Sequence, residues 1–203
     1  MKKLTLIALS IGLTSGAVIA DDDYSGHRVA IGAVSGDSYD NVYIYGPSGN
    51  EYIGDISSDD DGITLQYGYD FNRIFALNVG YSSVEGEGSN GDSVTATRKN
   101  ESTSFSLEGE AGYAFIFEGG NSIKPYISLG YSSANTNSDY SLYVGEVLTD
   151  TMSESSDSSD VYAATGLRYI TGFNMTLDAR LSSQKVSAMQ DGESFTFSVG
   201  YKF

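Results

Sequence analysis

Charged side chains lie inside several segments whose residue pattern otherwise predicts β-strand. These residues are Arg28, Glu108, Glu110, Arg168, Asp178 and Arg180. Residues two apart in a strand share a face, so Glu108 lies beside Glu110, and Asp178 beside Arg180. Burying an unpaired charge costs several kcal/mol, and opposite charges that share an interior therefore pair. We predict one internal network in which Glu108 and Glu110 pair with Arg180 and Arg168.

Two functions fit such a network. In the first, the charges form a structural plug that holds the register of the strands. In the second, they gate a narrow passive pore for ions or small solutes. Salt-bridged carboxylates are poor acid–base catalysts at neutral pH, because their partners hold them ionised. The residue types therefore favour a structural or transport role over an enzymatic one.

The single histidine, His27, is the remaining candidate for catalysis. A nucleophilic site needs a serine or cysteine, a base within hydrogen-bonding reach and a third group that orients the base. The chain has no cysteine, and no serine or aspartate close to His27 in sequence forms a convincing set with it. We expect no enzymatic activity, no metal centre and no cofactor, and we assign His27 to an interface.

These residues must be positioned by β-strands, because apolar and polar residues alternate strictly in four segments. The segments are 63–70, 75–82, 175–182 and 194–203. All 17 positions on one face are hydrophobic, whereas Ala76 is the only hydrophobic residue among the 17 on the other face, which includes Gln66, Asn78 and Lys202. Weaker alternation predicts four more strands, at 27–35, 102–115, 125–133 and 161–170. Each of these four is about nine or more residues long, which is the length that a tilted strand needs to cross a bilayer.

A soluble sandwich or lipocalin-like barrel would also alternate, so the placement of particular residues decides between the classes. Large aromatic residues lie near the predicted strand ends, as in the aromatic girdles of outer-membrane barrels. They are Tyr69, Phe75, Tyr81, Tyr113, Phe115, Tyr131 and Tyr169. The opposite face carries the mid-strand charges, which suit a wet or salt-bridged lumen. Both features favour a membrane barrel.

The connections between the predicted strands alternate in length. The long connections are 36–61, 85–101 and 134–160, together with a shorter one at 183–192. They alternate with the brief connections 70–74, 116–124 and 171–174. Long extracellular loops and short periplasmic turns are typical of outer-membrane barrels. Eight strands close into a cylinder without the free edges that lipid forbids. We predict an all-β, eight-stranded antiparallel up-and-down transmembrane β-barrel.

The first twenty residues have the three parts of a secretory signal peptide. Lys2 and Lys3 are followed by an apolar stretch at 4–13 and by the small-residue site Val18-Ile19-Ala20. We predict cleavage after Ala20, which leaves 21–203 as one barrel domain. The formal net charge of −16 argues against a nucleic-acid ligand, because phosphates attract basic surfaces.

The C-terminal run Phe195-Thr-Phe-Ser-Val-Gly-Tyr-Lys-Phe203 alternates up to a terminal aromatic residue. With this ending and the pattern over 26–203, the chain resembles the OmpA/OmpX-like small outer-membrane β-barrels, a group that includes the Ail-type surface proteins. The resemblance implies a monomer in the bacterial outer membrane, in contact with its lipid and lipopolysaccharide. It also implies a C-terminal signal that the outer-membrane assembly machinery recognises. That signal would comprise Phe195, Phe197, Val199, Tyr201 and Phe203.

The predicted loops are acidic. Segment 36–61 contains seven acidic residues and segment 134–160 contains six, and neither contains lysine or arginine. Three readings remain open: a solvated surface, divalent cations that bridge Asp59, Asp60 and Asp61 to lipopolysaccharide phosphates, or adhesion to an unidentified ligand. Adhesion would use tyrosines at these loops, namely Tyr39, Tyr43, Tyr45, Tyr52, Tyr140 and Tyr143. The three aspartates do not match an EF-hand loop, so no defined calcium site is predicted. We expect a structural or surface-interaction role, with a porin-like passive pore as the alternative.

Overall fold

The computed structural model describes residues 24–46, 49–90, 94–144, 147–186 and 190–203. The predicted signal peptide, 1–20, lies outside the described residues. Eight long strands make up the barrel wall: β1 (Gly26–Gly46), β2 (Gly49–Asp70), β3 (Phe75–Asn90), β4 (Val94–Gly112), β5 (Ser122–Val144), β6 (Val147–Ile170), β7 (Met175–Val186) and β8 (Gln190–Lys202). The connection between β4 and β5 holds a two-residue strand, Phe115–Ile116, and a 3-10 turn, Glu118–Gly120. Within the described part of the chain, no helix has the length and apolar character to span a bilayer.

The strands close into a ring. Each pairs antiparallel with the next along the chain, and β1 pairs antiparallel with β8. The closing register places Arg28 opposite Lys202 and Gly36 opposite Ser194. Closure removes the unpaired backbone groups of a sheet edge, which hydrocarbon cannot solvate. The predicted eight-stranded up-and-down barrel is confirmed.

The two faces of the wall divide by residue number. In the barrel wall the even-numbered residues point into the lumen and the odd-numbered ones point outward. Outward aliphatic side chains are well exposed, with Ile63 at 63% and Leu129 at 68%. Inward polar residues such as Thr64 and Ser128 are buried. An apolar exterior around a polar interior is the reverse of a soluble barrel and suits a lipid surround.

The segments predicted as long loops are mostly strand, so that prediction is wrong in detail. The β1–β2 ladder runs to Gly46 opposite Gly49, and the β5–β6 ladder runs to Val144 opposite Val147. β5 also begins at Ser122, inside a segment predicted as a connection. Strand ends with water on both faces need no apolar alternation, so period-two patterning cannot reveal them. The short turns, Gly26 and Phe203 lie at one end of the barrel, and the long hairpins lie at the other.

Candidate functional site: the charged lumen

Eight side chains, one from each strand, meet in the half of the lumen next to the short turns. We call them the inner network: Arg28, Asp70, Asn78, Glu110, Lys124, Arg168, Asp178 and Lys202. They face one another because each occupies an even-numbered, inward position near the short-turn end of its strand. All are buried except Lys202, which is partly exposed. A contribution from every strand ties the whole circumference together.

Glu110 is the first acidic centre of the inner network. Arg168 donates two parallel hydrogen bonds to its carboxylate, Nη1 to Oε1 and Nη2 to Oε2, each 2.8 Å long. The Lys124 ammonium lies 2.9 Å from Oε1, and Asn78 donates to Oε2 at 3.1 Å. The side chains of Glu110 and Lys124 have no solvent exposure. This is a fully desolvated charge cluster, which is tolerated only because the opposite charges are in contact.

Asp70 is the second acidic centre, and it lies among four cations. Arg28 Nε donates to Oδ2 at 3.0 Å, and Lys202 Nζ lies 3.2 Å from the same oxygen. Lys124 and Arg168 approach Oδ1 at 3.8 and 4.0 Å. Because Lys124 and Arg168 also contact Glu110, the two carboxylates share their cations. Loss of either carboxylate would leave buried positive charge uncompensated.

Asp178 completes the set on the far side of Arg168. Arg168 Nε lies 2.7 Å from Asp178 Oδ2, and the Tyr126 hydroxyl donates to Oδ1 at 2.6 Å. The Arg168 guanidinium also lies 4.8 Å from the centre of the Tyr126 ring. Tyr126 fits because Gly166 has no side chain: a Cβ there would come within 2.5 Å of the tyrosine. A large side chain thus faces a small one across adjacent strands.

One step towards the long hairpins lies the upper pair, Glu108 and Arg180. Arg180 donates to both carboxylate oxygens of Glu108, at 3.0 and 2.6 Å. The Tyr162 hydroxyl donates to Glu108 at 2.9 Å. Asn78 links the two levels, because its amide nitrogen donates to Glu108 at 3.0 Å and to Glu110 at 3.1 Å. The upper pair therefore caps the inner network.

A polar cavity of about 260 Å³ extends from the upper pair towards the long hairpins. Its floor is formed by Glu108, Tyr162 and Arg180. Serine and threonine residues line much of its wall, among them Thr64, Ser82, Ser104, Ser106, Ser132 and Thr196. Arg98, which is buried, lies higher in the same wall and 5.8 Å from the centre of the Tyr140 ring. The lumen is thus filled below the upper pair and hollow above it.

Tyr24 lies beneath the inner network, just before β1 begins. Its ring packs with Ala114 and Ile170, and the Lys202 ammonium lies 3.7 Å from the ring centre. Lys202 also donates a hydrogen bond to the Tyr24 carbonyl oxygen. Burial raises the pKa of Tyr24 to about 12, and the Asp70 carboxylate acts in the same direction. The phenol therefore stays neutral at physiological pH and covers the lumen from the short-turn end.

All six lumen residues proposed from sequence face the lumen in the structure. The structure brings Glu108 to Arg180 and Glu110 to Arg168, and it places Arg28 and Asp178 around them. Sequence reasoning left Asp70, Lys124 and Lys202 out of the network. Asp70 and Lys202 lie on the polar face of cleanly alternating segments, so the signal for them was present. Lys124 lies just before Pro125, in a segment that the sequence predicts to be a connection.

The predicted girdle residues lie on the outside of the barrel. Tyr69, Phe75, Tyr81, Tyr131 and Tyr169 occupy outward positions in the strands. Tyr113 and Phe115 were predicted inside a strand ending at residue 115, but β4 ends at Gly112, so they lie in the following connection. Their rings meet edge to face, with centroids 5.1 Å apart. Gly112 N–H donates to the Ile74 carbonyl and Ala114 N–H donates to the Arg73 carbonyl, so the start of this connection stays hydrogen-bonded to the turn between β2 and β3.

The C-terminal residues Phe195, Phe197, Val199 and Tyr201 are all exposed on the outer face of β8. Phe203 follows the last β8 residue, and its backbone exchanges two 2.9 Å hydrogen bonds with His27. The rings of His27 and Phe203 stack with centroids 5.8 Å apart. His27 Nδ1 lies 2.7 Å from the Tyr67 hydroxyl. His27 is therefore embedded in an aromatic surface where the barrel closes.

The three consecutive aspartates do not share a face. Asp59 and Asp61 are exposed on the outside of β2, whereas Asp60 turns towards the lumen, lines the cavity and accepts a 2.9 Å hydrogen bond from Ser58. No group of three acidic, histidine or cysteine side chains suited to a metal ion occurs among the described residues. The side chains of Tyr39, Tyr43, Tyr45 and Tyr52 lie outside the described set, while Tyr140 and Tyr143 are partly buried.

Comparison with known proteins agrees with this architecture. The family model described as outer membrane protein beta-barrel domain matches residues 6–203. Among solved structures, the outer membrane protein OprG from Pseudomonas aeruginosa has 14% identity and a TM-score of 0.52, with 88% of this chain and 96% of that chain covered. Ail of Yersinia pestis, in complex with the heparin analogue sucrose octasulfate, has 14% identity and a TM-score of 0.48, with 88% and 99% covered. Neisserial surface protein A has 20% identity and a TM-score of 0.47, with 88% and 96% covered. No curated protein matches the chain.

Proposed function

The chain belongs to the family of outer membrane protein β-barrel domains, and from this premise we propose that it is a structural or surface-interaction protein whose lumen is closed. The family places the protein in the bacterial outer membrane. By the common architecture of such barrels, the short turns face the periplasm and the long hairpins face outward. The inner network then blocks the periplasmic half of the lumen.

The observation that carries the proposal is the desolvated contact of Glu110, Lys124 and Arg168. An eight-stranded barrel is only wide enough for its own side chains to fill. A passing ion would have to separate these charges, and leaving a buried charge without its partner costs about 3–5 kcal/mol. Tyr24 adds a second cover below the network. The plug is therefore the resting state, and an open lumen is a rare excursion.

Solute entry into liposomes tests this proposal. We expect vesicles that contain the wild-type protein to exclude small sugars and salts as well as protein-free vesicles do. Rapid solute entry through wild-type protein would contradict the plug. Glu110→Gln, which keeps the shape of the side chain and removes its charge, serves as the matched variant for a weakened network.

A narrow pore is the second candidate, because a cavity of about 260 Å³ already lies above the upper pair, on the side of the long hairpins. Below it, the upper pair would act as the first gate. Planar-bilayer recording separates the two candidates. Stable unitary currents that change with Glu108→Gln or Arg180→Gln would contradict the plug and support a gated pore. The absence of channel currents from the wild type and from both variants would support the plug.

Acidic side chains on the outer face support proposed contacts with lipopolysaccharide. Asp61 lies opposite Glu85, and Glu85 lies opposite Glu101, in adjacent strands. All three are exposed, and Lys99 Nζ lies 3.7 Å from Glu101. One exposed lysine does not balance three carboxylates, and like charges opposite one another destabilise a sheet. We propose that divalent cations bridge these carboxylates, with Asp59, to lipid phosphates. In lipopolysaccharide vesicles Mg²⁺ should raise the melting temperature of the wild type, and Glu85→Gln/Glu101→Gln should remove most of that rise. An equal rise in melting temperature for both proteins would contradict the proposed contact.

A further inference from the structure

The cavity above the upper pair exists because the inward side chains around it are small. An eight-stranded barrel is just wide enough for its own side chains to fill. Below the upper pair, the long charged side chains of the inner network fill the lumen. At the level of the cavity, the inward positions hold mostly serine and threonine, together with Gly80 and Ala134. The space of about 260 Å³ is therefore a consequence of the residue types in the wall.

Side chains from three strands cover part of the cavity on the side of the long hairpins. Asn100, which lines the cavity, accepts a 2.9 Å hydrogen bond from Ser138 and donates one of 3.5 Å to Ser58. The contact between Asn100 and Ser58 joins β4 to β2 across β3. It is possible because β3 carries Gly88 here, where a Cβ would come within 2.8 Å of the buried Ile56 side chain. The cavity thus has a roof as well as a floor.

The barrel wall is lowest at β7 and β8. These strands have 12 and 13 residues, whereas β5 and β6 have 23 and 24. The pairing of β1 with β8 stops at Gly36 opposite Ser194, and both residues line the cavity. Glu193, the preceding residue on β8, also lines the cavity and is exposed. A solute on the long-hairpin side can therefore enter above these two strands.

Two buried hydroxyl groups in the wall have no protein partner. Ser132 on β5 is 5% exposed, Thr196 on β8 is 8% exposed, and both line the cavity. Neither side chain forms a hydrogen bond with another residue in the described part of the chain. Buried polar groups are almost always hydrogen-bonded, and a hydroxyl can both donate and accept. These two groups point to a polar ligand in the cavity.

The wall also indicates the chemistry of that ligand. Cavities for apolar molecules are lined predominantly by hydrophobic and aromatic side chains, whereas here aliphatic residues such as Val34 and Val84 lie among serines and threonines. Asp60 and Glu193 outnumber Arg98, the one arginine of the wall outside the upper pair, so the wall disfavours an anion. Among the described residues, no acidic, histidine or cysteine group suits a metal ion. A neutral molecule with several hydroxyl groups on a carbon skeleton matches this lining.

We propose that the cavity binds a small neutral polyhydroxylated compound of about monosaccharide size. Its volume of about 260 Å³ lies just below the range of roughly 300–1,000 Å³ that is usual for drug-sized ligands, which limits the size of the ligand. The inference goes beyond the proposed function and rests on it only for the closed floor, which makes the cavity a dead end. A conducting lumen would contradict the plug without abolishing binding in the cavity, so the two proposals fail separately.

Titration of the full barrel with glucose tests the proposal. The protein is held in a phosphocholine detergent, because glucoside and maltoside detergents would themselves offer sugar groups. We expect saturable changes in the amide chemical shifts around the cavity, with a dissociation constant of about 1 mM. Glucuronate has the same ring with a carboxylate and should bind about tenfold more weakly. The absence of saturable changes with glucose, or equal affinity for glucuronate, would overturn the proposal.

Maltotriose separates the two sources of such a ligand, a free sugar and the end of a glycan chain. The roof over the cavity favours a free sugar, so we expect glucose to bind and maltotriose to bind more weakly. Equal binding of both would support the same site with the end of a glycan chain as its ligand. Binding of maltotriose without glucose would contradict the proposed size and overturn the proposal.

Adjacent serines on β5 provide a matched pair of variants. Ser132→Leu fills the cavity and should weaken glucose binding about tenfold, whereas Ser133→Leu adds the same side chain on the outer face and should not. Ser132→Ala/Thr196→Ala removes the two partnerless hydroxyls without filling the space and should weaken binding severalfold. This double variant keeps the site testable if Ser132→Leu fails to fold. Wild-type affinity in the double variant, or equal affinity in the two leucine variants, would show that glucose binds elsewhere and that the proposal is wrong.

Discussion

Arg168 and Glu110 join β6 to β4 across the lumen, past the intervening strand β5, through two parallel hydrogen bonds of 2.8 Å. Ladder hydrogen bonds hold only adjacent strands. A bidentate pair that skips a strand holds the curvature and register of three strands at once, and planar guanidinium–carboxylate geometry makes it directional. Variants that break this contact should therefore lower the stability of the barrel.

Glu110→Gln should destabilise the barrel more than Glu108→Gln. Glutamine keeps the volume of either side chain, but at position 110 it leaves Lys124 and Arg168 buried with too little negative charge. We expect a loss of about 3–5 kcal/mol for Glu110→Gln. Arg180 borders the polar cavity, so water can solvate it in the other variant, and the loss should be about 1–3 kcal/mol. Urea unfolding in lipid vesicles measures both, and equal losses would show that desolvation does not set the cost.

Gly130→Ala should disturb the upper pair through Tyr162. A Cβ at position 130 would come within 2.6 Å of the Tyr162 ring, whose hydroxyl donates to Glu108. Overpacking of this kind costs about 1–3 kcal/mol. Gly109→Ala is the matched control, because a Cβ there meets nothing within 4 Å. Its effect should stay within about 0.5 kcal/mol. If Gly130→Ala leaves the free energy of unfolding unchanged, Tyr162 shifts freely and does not hold Glu108 in place.

Alkaline pH should weaken the barrel through Tyr24. The folded-state pKa of about 12 lies above the ordinary value of 10.0, so below pH 10 the phenol is neutral in both states and its contribution is complete. Between pH 10 and 12 the unfolded chain ionises first, and stability falls. The loss specific to Tyr24 should reach about 2 kcal/mol near pH 12. Tyr24→Phe should lack this component, as the difference between the two unfolding profiles would show. Parallel profiles from pH 9 to 12 would mean that the Tyr24 hydroxyl is solvated in the folded protein.

Loss of the terminal aromatic ring should impair assembly more than stability. The outward row Phe195, Phe197, Val199, Tyr201 and Phe203 is the proposed recognition signal for the assembly machinery. Phe203→Ser should lower the amount of folded protein in the outer membrane of an expressing cell severalfold, while refolding of purified protein in lipid should change little. Phe173→Ser, which removes another exposed aromatic ring at the short-turn end, provides the control. If both variants reach the membrane equally, the terminal ring is only part of the girdle.

The sequence predicted the barrel well because lipid imposes a strict pattern. Residues such as Leu65 and Val199 face hydrocarbon, so their segments alternate without exception, and the strand count follows. The outer parts of β5 and β6 have water on both faces and carry no such pattern, so the sequence predicts loops there. The alternation of residues along the strands is enough to predict that charges such as Glu108 and Arg180 face the lumen. Which cation would lie against which carboxylate depends on the closing register and on glycines that make room for Tyr126 and Tyr162. Neither of those is visible in local sequence.

The central claim is that the lumen is closed at the inner network. Single-channel recording of the refolded wild-type barrel in a planar bilayer tests it most directly, with Glu110→Gln recorded under the same conditions. The plug predicts a silent wild type and brief openings in the variant, because only the variant lacks the carboxylate that holds Lys124 and Arg168 together. Stable, long-lived unitary currents from the wild type would contradict the plug.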